Sequence, residues 1–281
     1  MPELPEVETV VRDLREHGLV GGVIRTVEVR WPRMIAGQTP DAFIYALNGR
    51  AVAALTRRAK YIVIALDTGA RLLIHLRMTG KLRFAAEGEK PGPHDHVIIT
   101  LKDSRRLVFN DTRKFGRFRL IGPGADPLPG LGPEPLEDAF TLDVMRDRLR
   151  GKHRQIKPLL LDQTTVAGLG NIYVDEALWQ ARIHPERRAN TLTRAEVKRL
   201  HQAIREVLGR AVENCGTTLG ESKANFYSVA GRRGRNADAL KVFRRDGLPC
   251  PRCGTVLVRS VVGQRGTHFC PSCQKAPEAT A

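Results

Sequence analysis

The 281-residue sequence lacks any apolar run of the roughly 18 residues that a membrane-spanning helix requires, so no spanning segment is expected. Its opening, MPELPEVETV, is acidic where a secretion signal would be basic and then apolar, which predicts a cytoplasmic protein. Acidic residues are in short supply overall. The 30 Asp and Glu are outnumbered by 46 Lys and Arg, giving a formal net charge of +16. A balance this basic points to a polyanionic partner, nucleic acid first and an acidic membrane surface second. Apolar residues are not lacking: at 42% they exclude wholesale disorder, and the length suggests two domains. There is no internal repeat.

Val7, Val10, Val11 and Leu14 recur at i, i+3, i+4 and i+7, which predicts a first helix led in by Pro5 and Glu6. Short β-rich runs follow: YIVIAL from Tyr61, RLLIHL from Arg71, HVIITL from His96, RRLVFN from Arg105 and RFRLI from Arg117. Asp67-Thr68-Gly69 and Lys102-Asp103-Ser104 part neighbouring runs like hairpin turns, and no room is left for crossover helices. An antiparallel β-sandwich or barrel is therefore expected over residues 1–122. The stretch GPGADPLPGLGPEP stops regular structure, so residues 123–137 read as a linker. Helical spacing returns at Thr141 to Leu149, Val174 to Ala181 and Thr193 to Glu213, which makes 138–219 a helical domain. Residues 220–240 read as a long basic loop, 241–275 as a cysteine module and 276–281 as a tail. The class is α+β, multidomain.

Five cysteines are present, and Cys215, which stands alone, is expected to be a small packed residue rather than a nucleophile. The other four form two C-x-x-C pairs, Cys250/Cys253 and Cys270/Cys273, with sixteen residues between the pairs. In a reducing compartment such pairs read as metal ligands, and this spacing fits a four-cysteine zinc ribbon. With sulfur at all four positions no site is open for an activated water, so one structural Zn²⁺ is expected. Charge also gathers here: residues 223–275 hold eleven Lys and Arg against two Asp, a net of +9.

Several motifs occur in a fixed order: MPELPEVET at the start, RRAKY at Arg57 to Tyr61, HLRMTG at His75 to Gly80, DTRKFGR at Asp111 to Arg117, GLGNIYVDEAL at Gly168 to Leu178, then the cysteine module. Over nearly its whole length the chain resembles the bacterial formamidopyrimidine-DNA glycosylase family. The resemblance implies an N-terminal β-sandwich, a helical domain with a helix-two-turns-helix element, and a zinc finger, with DNA held in the cleft between the halves. It implies a bifunctional DNA glycosylase and abasic-site lyase that excises oxidised purines such as 8-oxoguanine and formamidopyrimidines. It further implies duplex DNA carrying oxidised bases or abasic sites as the partner, and a monomeric protein.

Residue by residue, the resemblance implies removal of Met1 and nucleophilic attack by the Pro2 amine, with Glu3 as general acid and Lys60 and Arg265 completing the catalytic set. An α-amino group titrates near about 8, so it is partly neutral where an ordinary lysine is charged. Met78, Arg113 and Phe115 would fill the gap left by an extruded base. Asn171, at a helix start, would bind phosphate; Lys157, Lys152, His75 and His94 are further candidates for backbone contacts. Glu176 reads as structural support.

The chain departs from the family pattern in three places. Lys114 stands where the DPRRFG motif has its second arginine, Arg77 where many members have glycine, and ESKANFYSVAGRRGRNADAL, at the place of the lesion-capping loop, differs from its common sequence. Two other readings remain at this stage. One is an endonuclease VIII-like enzyme for oxidised pyrimidines, disfavoured because that branch opens PEGPE. The other is a non-catalytic zinc-ribbon module that binds DNA or ribosomes.

Overall fold

The apolar stripe of Val7, Val10, Val11 and Leu14 is fully or almost fully buried on α1 (Leu4–Glu16), a helix with Pro5 in its first turn. Burial of each such side chain stabilises the fold by about 1.5–3 kcal/mol, which makes α1 a wall of the core. The computed structural model describes residues 1–126, 128–220 and 226–276. Residue 127, residues 221–225 of the expected basic loop and residues 277–281 of the expected tail lie outside the described residues. By contacts the chain divides into two units, Met1–Pro129 with Asn214–Ala237, and Gly130–Glu213 with Asp238–Ala281.

The first unit is built from two antiparallel four-stranded sheets. One runs β1-β6-β7-β5, from β1 (Ile24–Val29), β5 (Lys81–Phe84), β6 (Asp95–Leu101) and β7 (Arg106–Asn110). The other runs β2-β3-β4-β8, from β2 (Val52–Arg58), β3 (Tyr61–Leu66), β4 (Arg71–His75) and β8 (Arg117–Ile121). Alternation sorts β3: Ile62, Ile64 and Leu66 join the main core, while Val63 faces a second cluster with Leu73 and Ile121. Val97, Ile99, Leu107 and Phe109 of the first sheet meet Ile62, Ile64, Ile74 and Phe118 of the second in one core, with α1 and α2 (Pro40–Leu47) at its edge. Phe109 and Phe118 join the sheets edge to face at 4.9 Å. This is the expected sandwich.

The second unit carries α3 (Leu142–Leu149), α4 (Ile156–Leu161), α5 (Asn171–Ala181) and α6 (Arg194–Glu213), then a two-stranded hairpin of β9 (Val258–Val262) and β10 (Arg265–Phe269). Buried Val197, Leu200, Ile204, Val207, Leu208 and Ala211 make the inner face of α6. Trp179 of α5 packs with Val242, Leu257, Cys250 and Cys270, so the cysteine module shares a small core with the helices.

Composition placed divisions at 219/220 and 240/241, whereas the contact division falls elsewhere. Among the described residues, 214–220 and 226–237 pack with the sandwich, and 238–276 pack with the helices.

Candidate active site and nucleic-acid interface

Glu3 caps α1 in an extended conformation, and its own N–H donates to the Glu6 carboxylate at 2.8 Å, half of a reciprocal capping box. Met1 is half exposed, while Pro2 and Glu3 are buried. Glu8 of the same helix accepts from the Arg57 guanidinium at 3.0 Å, and Arg57 also donates to the Ala59 carbonyl at 3.1 Å. Arg57 thereby ties α1 to the β2–β3 turn, where Ala59 has a left-handed φ of 52° and Lys60 follows, only 5% exposed. The motif was visible in the sequence, but the Glu8–Arg57 link that places Lys60 was not.

His75 sits across from Tyr61 in the β3–β4 pairing, their rings edge to face at 4.6 Å. Burial, with Arg77 and Lys60 nearby, pushes its pKa from 6.5 down to about 3, so the ring is neutral at cellular pH. Its Nδ1 accepts the Arg77 N–H at 2.9 Å, which leaves the proton on Nε2 as a neutral donor. Arg77 has φ of 55°, a conformation that suits glycine, which accounts for the family's usual residue there.

Met78, Arg113 and Phe115 come together at the surface. The Arg113 guanidinium lies 4.7 Å over the Phe115 ring and 3.0 Å from the Met78 sulfur, with Met78 and Phe115 each 45% exposed. One fully buried carboxylate, which the sequence reading did not single out, holds both loops. Asp111 Oδ1 accepts from the Thr79 hydroxyl and from the Arg113 N–H at 3.2 Å, and Oδ2 accepts from the Gly116 N–H at 2.8 Å. A Cβ on Gly80 or Gly116 would lie 2.6 or 2.4 Å from the Phe109 ring, so both loops need glycine to close on the core. Lys114 rests its ammonium 4.0 Å over the Trp31 ring. His94 lies beside this group; its carbonyl accepts the Asp111 N–H, and its Nδ1 is buried with no partner among the described residues.

In the second unit the phosphate candidates converge on the hairpin. The β9–β10 turn is Gly263-Gln264, both with positive φ, as a two-residue type I′ turn requires. A Cβ on Gly263 would lie 2.6 Å from Pro158 of α4, so only glycine lets the turn seat there. Arg265 follows, exposed at the start of β10. Behind it, the Gly266 carbonyl accepts from Asn171 Nδ2 at 2.8 Å and from Lys157 Nζ at 3.1 Å. Lys157, expected at a phosphate, is wholly buried and paired with Asp175 at 2.6 Å; a buried ammonium needs that carboxylate. Asn171 Oδ1 is buried without a partner among the described residues. Lys152 is exposed in the turn after α3.

Asp175 also accepts the His268 N–H at 2.9 Å, and Glu176 accepts the N–H groups of Lys241, Val242 and Phe243 at 2.8–3.0 Å. Burial pushes the Glu176 pKa up, and those three amides oppose the rise. Two adjacent carboxylates of α5 thus hold the cysteine module at both of its ends.

The four sulfurs of Cys250, Cys253, Cys270 and Cys273 lie within 4.8 Å of one another. Tetrahedral zinc with Zn–S near about 2.3 Å sets sulfurs roughly 3.8 Å apart, so the set fits the ion. Trp179 Nε1 donates to Cys250 Sγ at 3.4 Å, and the Cys273 N–H to Cys270 Sγ at 3.4 Å, the outer hydrogen bonds expected around thiolate ligands. With all four positions filled by sulfur, the zinc is structural.

Comparison with known proteins agrees with this geometry. Residues 1–118 match the formamidopyrimidine-DNA glycosylase N-terminal domain, 131–223 its H2TH domain, and 247–276 the zinc finger found in FPG and IleRS. A formamidopyrimidine-DNA glycosylase of Symbiobacterium thermophilum is 50% identical over 100% of this chain and 92% of its own. A Lactococcus lactis FPG variant in complex with a Fapy-dG containing DNA superposes with a TM-score of 0.90 at 39% identity, covering 98% of this chain and 100% of that one. The Lactococcus lactis enzyme with an abasic site containing DNA gives 0.89, with the same identity and coverage. A sandwich, an H2TH module and a four-cysteine zinc site define a zinc-finger DNA glycosylase. The chain belongs to the formamidopyrimidine-DNA glycosylase family. No helix among the described residues is long and apolar enough to cross a membrane.

Proposed function

We propose that this chain is a bifunctional DNA glycosylase and abasic-site lyase that removes oxidised purines from duplex DNA in the bacterial cytoplasm, at the nucleoid. The observation that carries the reading is a buried Pro2-Glu3 pair at the head of a capped helix, in a chain similar end to end to enzymes bound to Fapy-dG and abasic DNA.

With Met1 removed, the Pro2 nitrogen is a secondary amine, partly neutral near pH 7. Its lone pair attacks the sugar C1′ as the glycosidic bond breaks; the damaged base leaves with the bonding pair and takes up the proton that the attacking nitrogen sheds. Glu3 gives a proton to the ring oxygen as the C1′–O bond opens, and the nitrogen lone pair forms an iminium with C1′. Carrying a permanent positive charge, the iminium accepts the electron pair released when C2′ loses a proton, and the 3′ phosphate departs. A second proton loss, from C4′, expels the 5′ phosphate. Lys60, Arg265 and Asn171 hold the flanking phosphates, with Lys157 setting Arg265 through Gly266 rather than touching DNA. His75 offers a neutral Nε2–H, His94 and Lys152 add backbone contacts, and Met78, Arg113 and Phe115 fill the space of the extruded base.

Borohydride trapping on a duplex carrying 8-oxoguanine tests this. Processed protein is expected to give a covalent adduct. Residues retained ahead of Pro2 should abolish the adduct and leave DNA binding intact. No adduct from processed protein overturns the reading.

A further inference from the structure

Asp13 is a buried carboxylate on α1, and the reaction above makes no use of it. Burying a carboxylate is unfavourable unless it is paired and hydrogen-bonded, so its partners show what it is there to hold. All of them come from one distant segment. Asp13 Oδ1 accepts from the Arg232 guanidinium at 2.6 Å, Oδ2 accepts from the Ala230 N–H at 3.1 Å, and Glu16 adds a second carboxylate to Arg232 at 3.3 Å. Burial works to raise the Asp13 pKa, but the Ser228 hydroxyl, the Ala230 amide and Arg232 outweigh it and hold the group below its ordinary value.

Seven residues before Asp13, and so on the same face of α1, Glu6 holds the other limb of that segment. Its Oε1 accepts the Thr217 N–H at 2.7 Å while Oε2 caps Glu3. A Cβ on Gly216 would lie 2.9 Å from the Glu6 carboxylate, so the approach needs glycine. The limbs are joined by hydrogen bonds from the Gly234 N–H to the Thr218 hydroxyl at 2.8 Å and from that hydroxyl to the Phe226 carbonyl at 2.7 Å. Val229 is part of the sandwich core and Phe226 packs against it. Tyr227 reaches the other side, its ring 4.8 Å from the ammonium of Lys81, which follows Met78 by three residues. The returning segment therefore touches both α1, whose N-cap is Glu3, and the start of β5, into which the Met78 loop leads.

We propose that Asp13, acting through Arg232 and the Ala230 amide, is a positioning residue that fixes the 226–232 segment as the wall beside a damaged base. The proposal rests on the glycosylase reading. A duplex with a base to be held needs this wall, and an abasic duplex does not, so the two substrates respond differently.

The experiment measures single-turnover cleavage of 8-oxoguanine and abasic duplexes by the full-length zinc-loaded protein and by Asp13→Asn, Asp13→Glu and Arg232→Ala. Thermal melting is recorded for each. Asp13→Asn and Arg232→Ala should slow base excision by about tenfold, the factor carried by one charge-assisted hydrogen bond, with abasic cleavage within about twofold of the parent. Asp13→Glu, which keeps the charge, should recover part of the loss. Arg232 is mostly exposed, so its alanine variant remains folded and informative if Asp13→Asn does not. Equal losses on both duplexes, or none on either, overturn the proposal alone. A parent inactive on both duplexes overturns the glycosylase reading with it.

Discussion

Replacing Asp111 with Asn tests whether one carboxylate organises the exposed Met78–Arg113–Phe115 group. The substitution keeps shape and volume but turns one acceptor into a donor. With the amide nitrogen on the Gly116 side, two N–H groups would face each other across 2.8 Å, so that orientation is excluded. With the nitrogen on the other side, the Thr79 hydroxyl can rotate to accept, yet the Arg113 N–H loses its acceptor on that side chain. The net loss is one hydrogen bond to a charged group inside a buried site and the weakening of another, about 2 kcal/mol. For a unit of this size that corresponds to about 4–8 °C in melting temperature. Calorimetry of Asp111→Asn beside the parent, with 2-aminopurine opposite the lesion to follow extrusion of the base, reads both consequences. The variant should melt lower and extrude more slowly. Melting within about 1 °C of the parent, together with unchanged fluorescence kinetics, would refute the assigned role.

Lys157→Ala leaves Asp175 buried and unpaired, so a loss of about 3–5 kcal/mol is expected by denaturant titration, with lower activity through a displaced Arg265. An unfolded imidazole takes up a proton below about pH 6.5, whereas folded His75 does so only near pH 3. Between those values the unfolded chain binds more protons, so stability falls as pH falls, by up to about 1.4 kcal/mol per pH unit. His75→Gln should flatten that slope in urea melts at stepped pH. Arg77→Gly relieves a left-handed φ worth roughly 1 kcal/mol and removes a cation beside His75, so it should melt no lower than the parent and raise the His75 pKa, visible by NMR titration. Atomic absorption should find one zinc per chain; chelation should unfold the β9–β10 hairpin and abolish DNA binding by the second unit.

The strands that could be read from sequence are those whose patterns are plain, such as YIVIAL and RFRLI, and they match β3 and β8 residue for residue. β1 and β2 escaped because a register shift interrupts each, between Ile24 and Thr26 and between Val52 and Ala54, and their burial does not alternate. Period-2 patterning fails at a bulge. The zinc ligands were legible because four sulfurs at fixed spacing carry the chemistry by themselves. The burial of Lys157, a candidate for a DNA-backbone contact, was not legible because nothing in IKPLLL announces Asp175 eighteen residues on. Asp111 lay inside a quoted motif, yet its partners Thr79 and Gly116 are joined to it only by folding.

The polypeptide leaves the sandwich at Pro129 and returns to it at Asn214, so neither half of the molecule is a continuous stretch of gene. A single recombination between relatives at the 129/130 seam would pair one parent's Glu6 and Asp13 with the other parent's Thr217, Ala230 and Arg232. Chimaeras should therefore tolerate joint exchange of residues 130–213 and 238–276 far better than exchange of everything after the seam, and these acids should be inherited together with the amides and the arginine that they grip.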